Sequence, residues 1–462
     1  MRNLIQMPEQ QRIIRICEWS TLNVPELDDK QCQAINSAVW SWQQANSISE
    51  APLSFVGTNG KTLRTRQYAG VIEVEDVTIE IYPKLDSRLL EESSVEDERI
   101  IGSVMSDLLW VLDVSGHMGI CEFGRAGLEE SPTNFFDIFA LLMARQLLIQ
   151  LGMGVPHAYV RHSDDVRMVR EKIRLLDQVT HNMNRMDVIA CEWDEFTADI
   201  PMNQLIKCSC RFLQSRVRDS GPSRFLKDCI AHLDDIEDVD TLTALSRSLN
   251  HKWDRTNERY RPIFELGRRL LHGMGHLLSA SDCDTFVFLL DMNKVFEDYV
   301  ESVLEAYFNV RVKSQNCVGS LFPNLRRGRI RQNADYSWVT REGVNWIGDA
   351  KYKHLSKGGS RPILFSQLED NPNASAELAG NVLSPNDIRQ LTVYSELAVI
   401  QSGLTTTPNI LLIYPYVGEE PLMSDNTQAW NGADFTICPV RMKRQANIVE
   451  AFPQGISSVA PR

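Results

Sequence analysis

The chain has 462 residues, 43% of them hydrophobic and 24% charged, with 48 Lys and Arg against 61 Asp and Glu. That length exceeds one ordinary hydrophobic core and predicts two or three domains, and the apolar share excludes a disordered chain. A net charge of −13 argues against a protein that grips nucleic acid by bulk electrostatics, while leaving room for a local basic channel. The first residues, Met1 to Pro8, lack the apolar stretch of a secretory signal, and no apolar run is read as approaching the roughly 18 residues of a membrane span. The expectation is a cytoplasmic protein with no membrane contact. Arg12 to Glu18 reads as a strand and Asp28 to about Asn46 as a helix.

A β-rich section begins at Leu53–Val56. Gly57-Thr58-Asn59-Gly60-Lys61-Thr62 has the outline of a phosphate-binding loop, but the position where that motif needs its first glycine is Phe55. The next residues, Leu63 to Val74, are strand-like rather than helical, and Asn59-Gly60 is a hairpin turn signal, so nucleotide binding is rejected. Lys61, Arg64 and Arg66 give this hairpin a basic finger suited to an acidic or nucleotide-bearing pore of a partner. The alternative is a solvated hairpin. Val71–Val74 and Val77–Ile81 alternate as two strands about Glu75-Asp76, and Pro83 ends them. Residues 1–95 are expected to form a small β-rich domain.

Residues 86–98 make an acidic linker or the start of a helix. Residues 96–280 read as a mainly helical middle region, with apolar stripes at 101–112, 134–151, 200–216 and 241–249. Arg170, Lys172 and Arg174 are placed on a solvated helix or turn, with DNA or partner contact as the alternative. Cys208 and Cys210 are too close for an ordinary disulfide, and the ten cysteines show no Cys-x-x-Cys pair, as in a reduced compartment. The acidic run 234–240 lacks the glycine and bidentate glutamate of a calcium loop and reads as solvated. His272 and His276 share a helix face, but Gly273 and Gly275 weaken that helix, so a helix terminus is the better reading than a metal site.

The last region, 281–462, carries the chemistry. Asp291–Tyr307 is a helix, with Val295, Phe296, Tyr299, Val303 and Leu304 at helical spacing. Two strand-like runs then flank a turn at Arg341-Glu342-Gly343. Asp335 lies on the first; Asp349 and Lys351, two apart on the second, point to one face. The hairpin can bring Asp335 beside them. Two adjacent carboxylates bind a hard cation such as Mg²⁺, with the carbonyl of Ala350 as a further ligand. The lysine can orient a water and stabilise developing negative charge. This is equipment for metal-dependent phosphodiester hydrolysis. Glu297, on the preceding helix, is a candidate third carboxylate, with a solvent-facing position as the alternative. Arg326, Arg327, Arg329 and Arg331, with Lys353, are candidate contacts to DNA phosphates. Residues 355–384 form a loop rich in Gly, Ser, Asn and Pro. Pro385–Ile400 is a helix with Gln390 and Tyr394 four apart on one face, supporting the site or touching DNA; burial of Tyr394 is the alternative. Asn409–Val417 is a buried strand, and 451–462 a frayed tail.

Helix, three strands, helix and strand, in that order, resemble the core of the PD-(D/E)xK nuclease superfamily, in the branch with a Gln-x-x-x-Tyr helix. VIEVEDVTIEIYPKL at 71–85, FVFLLDMNKVFEDYV at 286–300 and IGDAKYK at 347–353 narrow the resemblance to the McrC family. EKIRLLDQ at 171–178 and CEWDEFTADIPMNQLIK at 191–207 are similar to that family's helical region. Where the family has Pro-Asp, this chain has Ala334-Asp335. The resemblance implies a mixed α+β protein: a β-rich N-terminal domain, a helical middle and a C-terminal PD-(D/E)xK-type nuclease core. It implies an endonuclease subunit of a modification-dependent, 5-methylcytosine-type restriction system, acting on double-stranded DNA with Mg²⁺. It further implies a McrB-like hexameric AAA+ GTPase partner that holds the GTP and is stimulated by this chain's N-terminal part, and dimerisation through the nuclease domain. The alternative is a non-catalytic subunit that only activates the motor.

Overall fold

The computed structural model describes residues 12–57, 60–90, 92–116, 132, 134–185, 187–275, 285–321, 330–352, 385–402, 406–417, 427–430, 433–445 and 447–452. Two compact units divide the chain. One joins residues 1–135 to 280–462, and the other is 136–279.

The first unit opens with β1 (Arg12–Cys17), β2 (Thr21–Asn23), α1 (Asp29–Ala45), β3 (Leu53–Val56), β4 (Thr62–Thr65), β5 (Tyr68–Val74), β6 (Val77–Tyr82) and α2 (Glu98–Ser115). Asp28 and Gln31 cap α1 reciprocally, and Cys32, Ile35, Ala38 and Val39 bury one face of it. The expected hairpin forms: β3 and β4 pair antiparallel, Val56 opposite Thr62, and β2 pairs on the other edge of β4. Thr58 and Asn59, at its tip, lie outside the described residues. Glu75, with φ of 54°, turns β5 into β6. Every residue of β6 is buried, because β1 flanks it in parallel and β5 flanks it antiparallel. The alternation expected there is therefore lost to burial on both faces.

The chain next enters the second unit through α3 (Phe135–Gly152). There follow β7 (Ala158–Val166), β8 (Lys172–Ile173), α4 (Leu175–His181), β9 (Ile189–Thr197), α5 (Pro201–Gln214), α6 (Ser220–His232), α7 (Thr241–Ser248) and α8 (Arg261–Gly275). Two expectations need correction here. The helix α3 is 18 residues long and apolar enough to cross a membrane, contrary to the reading that no run approaches that length. It is mostly buried within the protein instead, and its fully buried Asp137 accepts the backbone N–H groups of Arg218 and Asp219 at 3.0 and 3.3 Å. These are the marks of a core helix. Second, a region read as mainly helical contains a three-stranded sheet in the order β7-β9-β8. Residues 189–197, read within a helical stretch, are a strand. Strand β7 is polar and largely exposed, and β9 buries only Ala190 and Cys191, two neighbours in sequence, so no apolar alternation announces them. Cross-strand pairs hold them: Arg161 with Asp194 and Glu192, and His162 stacked on Trp193. Lys172 sits in β8 and Arg174 at the entrance to α4, paired with Asp177. The guanidinium of Arg170 lies 5.0 Å over the Trp193 ring. The acidic loop is solvated as expected: Asp238 pairs with Arg211 and Lys207, and Asp240 caps α7. His272 falls in the last turn of α8; His276 lies outside the described residues.

The first unit resumes with β10 (Thr285–Asp291), α9 (Met292–Phe308), β11 (Lys313–Leu321), β12 (Ile330–Val339), β13 (Asn345–Ala350), α10 (Pro385–Ser402), β14 (Asn409–Tyr416), β15 (Thr427–Trp430) and β16 (Ala433–Arg441). Strand β10, read with the C-terminal region, completes the N-terminal sheet by pairing antiparallel with β5. The remaining strands build a six-stranded mixed sheet, β11-β12-β13-β14-β16-β15. Its middle is β13, antiparallel to β12 and parallel to β14. Leu391, Tyr394 and Ala398 of α10 bury against Val318, Ile347, Ile410 and Leu412 of that sheet. Helix α9 starts from the Asp291 cap and turns its Glu297 carbonyl to the Tyr336 hydroxyl at 2.7 Å. The insertion 355–384 and the tail beyond 452 lie outside the described residues.

Candidate active site

The antiparallel ladder of β12 and β13 runs from Val339↔Asn345 to Tyr336↔Gly348. One step further in the same register, Asp335 and Asp349 stand opposite each other. There the ladder gives way: the carboxylate of Asp335, through Oδ2, accepts the Ala350 N–H at 3.0 Å. Its Oδ1 accepts from Gln315 Nε2 of β11 at 3.3 Å. On the other side of β13, the Lys351 N–H donates to the Ile413 carbonyl of β14 at 2.8 Å. The end of the central strand is thus pinned from both neighbours.

Asp349 is fully buried. Neither of its oxygens accepts a well-aligned hydrogen bond; its partner is the ammonium of Lys351, 2.5 Å from Oδ2 as an ion pair. Burial pushes the Asp349 carboxyl up to about 7, the neighbouring Asp335 raises it further in the same sense, and Lys351 opposes both. Glu297 is also pushed up to about 7, first by burial and then by the charge of Asp335. Three carboxyls and one lysine therefore share a partly dry pocket, in which protons and cations compete.

A divalent cation fits this donor set. The ammonium of Lys351 compensates Asp349 at Oδ2 only and leaves the buried Oδ1 without a donor, which is costly, and Mg²⁺ takes one or two carboxylates while keeping several waters. Asp335, Asp349 and the Ala350 carbonyl are the residues that would hold it. Among the described residues, no group of three or more His, Cys, Asp or Glu has the spacing of a metal cluster. Glu297 is therefore not grouped with the two aspartates as a third metal ligand, although the charge of Asp335 is felt at its carboxyl.

Tyr394 is buried in the core of α10 and the sheet, and its hydroxyl accepts from Gln390 Nε2. Its burial is the alternative the sequence left open, and the charges of Asp349, Asp335 and Lys351 are felt at its hydroxyl more weakly than burial and Gln390. Lys61 donates to the Leu27 carbonyl at 2.7 Å, and Arg66 pairs with Glu50. Arg64 is exposed. Arg326, Arg327, Arg329 and Lys353 lie outside the described residues, and of Arg331 only the backbone, paired opposite Ser320 in β12, is described.

Three residues at the site were not singled out from the sequence. Gln315 holds Asp335. Tyr352, beside Lys351, packs its ring on Phe296, with centroids 5.7 Å apart. Its hydroxyl donates to Glu18 Oε1 at 2.5 Å. The run Asp349-Ala350-Lys351-Tyr352-Lys353 contained the signal for Tyr352; Glu18, 334 positions away, had none.

The family model for McrBC 5-methylcytosine restriction system components matches residues 63–415. A search of the curated proteins finds no match. Among solved structures, the chain is similar to one described as a refined half-complex from a tetradecameric assembly of Thermococcus gammatolerans McrB AAA+ hexamers with bound McrC. Identity there is 17% and the TM-score 0.62, with 97% of this chain and 100% of that chain covered. A second, a cryo-EM structure of the Thermococcus gammatolerans McrBC complex, matches at 18% identity with a TM-score of 0.44, covering 65% of this chain and 89% of that chain. The family match spans well over half of the sequence, and the motifs that resemble McrC at 71–85 and 347–353 fall within it; the chain belongs to the McrBC family as an McrC-type restriction component.

Proposed function

We propose that this chain is the nuclease subunit of a modification-dependent restriction system, hydrolysing phosphodiester bonds of double-stranded DNA with Mg²⁺. The observation that carries this reading is the meeting of Asp335, Asp349 and Lys351 at the open end of the β12–β13 ladder. A bound Mg²⁺ would supply Lewis-acid stabilisation of the phosphate and a water nucleophile at neutral pH. The chain's own residues do the rest. Asp335, held by Gln315 and the Ala350 amide, keeps one carboxylate at a fixed orientation. Lys351 neutralises Asp349 at rest and lies where a non-bridging phosphate oxygen would gather charge. Glu297, with its raised affinity for protons, can take a proton from water near neutral pH.

The motor is a McrB-like hexameric AAA+ GTPase that holds the GTP, with DNA recognition and translocation on its side. This suits a chain of net charge −13 with no credible nucleotide loop. On this reading the protein is cytoplasmic, where its DNA substrate lies. Of the basic finger, the exposed Arg64 is the residue free in orientation to meet a pore, since Lys61 and Arg66 are committed to Leu27 and Glu50. Engagement of the motor by the N-terminal part and cleavage by the C-terminal part coexist in one chain.

The test is cleavage of a methylated plasmid by the full chain with its motor partner, GTP and Mg²⁺. Cutting by wild type and not by Asp349→Ala, with GTP turnover of the motor equally stimulated by both, is the expected result. Equal cutting by the two proteins would overturn the assignment. Stimulated turnover with no cutting by wild type would leave the purely regulatory role.

A further inference from the structure

Tyr352 lies in the interior between the candidate site and the N-terminal sheet of the same unit, only 7% exposed. It comes directly after Lys351 in sequence. Its ring packs on Phe296, the residue before Glu297. Its hydroxyl donates to Glu18, just past β1, at 2.5 Å. Glu18 is fully buried, and the same Oε1 accepts the Lys84 backbone N–H at 2.8 Å, while Oε2 has no hydrogen-bond partner. Lys84 comes just after the Ile81-Tyr82-Pro83 end of β6. Two peptide segments distant in sequence thus meet on one carboxylate oxygen.

A buried carboxyl is an expensive way to satisfy one tyrosine and one amide; a serine or a backbone carbonyl would do the same at lower cost. What Glu18 adds is direction. A tyrosine ring wedged on Phe296 and bonded at its far end has no freedom left at χ1 or χ2. The backbone at 351–352 then has its orientation set from three sides: by the Ile413 carbonyl at the Lys351 amide, by Phe296 at the ring, and by Glu18 at the hydroxyl. Supports of this kind orient metal ligands and catalytic groups, and their loss is felt in affinity and rate rather than only in folding.

We infer that the Glu18–Tyr352 hydrogen bond is a positioning element of the candidate active site, through which the N-terminal sheet fixes Asp349, Ala350 and Lys351 for cation binding and catalysis. The inference rests on the nuclease reading of that site. Tyr352 and Glu18 touch neither cation nor DNA; they act through the backbone of 349–351 and through Phe296 on Glu297. Residues of the N-terminal part thereby set the geometry of the C-terminal site.

The experiment uses the full chain and two readouts. The first is Mn²⁺ binding, followed by the loss of the free-ion electron paramagnetic resonance signal. The second is Mg²⁺-dependent cutting of methylated plasmid with the motor and GTP. Tyr352→Phe keeps the ring and removes only the hydroxyl, and should weaken Mn²⁺ binding and slow cutting by about tenfold each. Glu18→Gln keeps an acceptor for the hydroxyl and should stay within about twofold of wild type, while Glu18→Ala, which also strips the Lys84 N–H of its acceptor, should lose at least as much as Tyr352→Phe. The double variant Glu18→Ala/Tyr352→Phe should be no worse than Glu18→Ala alone, which already removes the bond to the hydroxyl. If Tyr352→Phe fails to fold, Glu18→Asp carries the same expectation, since it withdraws the acceptor by one methylene and leaves the hydroxyl. Variants that melt at lower temperature yet bind Mn²⁺ and cut as wild type would overturn the proposal, leaving a purely structural bond. A wild type that neither binds Mn²⁺ nor cuts would overturn the nuclease reading itself, and the positioning role with it.

Discussion

The ammonium of Lys351 stands 2.5 Å from the Oδ2 of Asp349, a carboxylate with no solvent exposure, while the lysine side chain keeps 21% of its own. Lys351 is therefore the member of the pair that can reach outward. On the proposed reading, a bound cation would take over the neutralisation of Asp349 and leave the lysine for the phosphate.

Removing that side chain by Lys351→Ala leaves both aspartates and should leave Mg²⁺ binding in place. Loss of a preorganised electrostatic contact of this kind costs on the order of 10²–10³ in rate, or about 3–4 kcal/mol. Cutting at saturating Mg²⁺, with the motor and GTP present, measures it. A wild-type rate would make the lysine a bystander.

Asp349 gives a pH prediction. Its carboxyl is raised in the folded protein from the ordinary 3.8 to about 7. Between those values the folded state binds more protons than the unfolded state, so without metal this group's contribution to stability is fully present below about 4 and is lost as pH rises toward 7. Asp349→Asn mimics the protonated form. Without metal, the variant should match wild type near pH 4 and melt higher than wild type at pH 8. Adding Mg²⁺ should raise the melting temperature of wild type more at pH 8 than at pH 6, because the cation must displace the proton; the variant should gain little. Thermal melts at the three pH values, with Mg²⁺ and with chelator, decide it.

Tyr394 combines a core ring with a polar tip. Tyr394→Phe removes only the acceptor of the Gln390 hydrogen bond, and should cost about 1 kcal/mol in a urea titration. Tyr394→Ala opens the packing against Leu391 and the sheet, and should cost about 3–5 kcal/mol. A rate loss in Tyr394→Phe much larger than its stability loss would assign the hydroxyl to the site; parallel small losses would assign it to the core.

Gly70 of β5 pairs with Leu289 of β10. A Cβ there would come within 2.1 Å of the Phe288 carbonyl oxygen, at a φ of +151°. Gly70→Ala must push β10 away from its register with β5, at a cost on the order of 3 kcal/mol or more. Because α9 begins directly after β10, the shift should also disturb Glu297. Loss of soluble protein, or a lowered melt with weakened Mn²⁺ binding, is expected; an unchanged melt would contradict the pairing.

The sequence by itself determined the local parts of the candidate site. Period-two alternation placed Asp349 and Lys351 on one face of a strand, the turn at 341–343 made the hairpin that carries Asp335 back to them, and a four-residue spacing put Gln390 under Tyr394. Each is a relation over a few residues, which backbone geometry alone enforces. The tertiary structure decided the rest. Strand β10 belongs to the N-terminal sheet because β5 offers it an unpaired edge about 210 positions earlier, and nothing in its own apolar run says which edge it joins. The β7-β9-β8 sheet leaves no apolar alternation in the sequence because β7 is polar and exposed and β9 buries only the adjacent Ala190 and Cys191, with cross-strand pairs holding the rest. The apolar α3 passes by length and composition for a membrane span, and only its burial shows it as a core helix. Glu18 and Tyr352 meet only in the folded unit, and a hydrogen bond between positions 334 apart leaves no periodic trace in either segment.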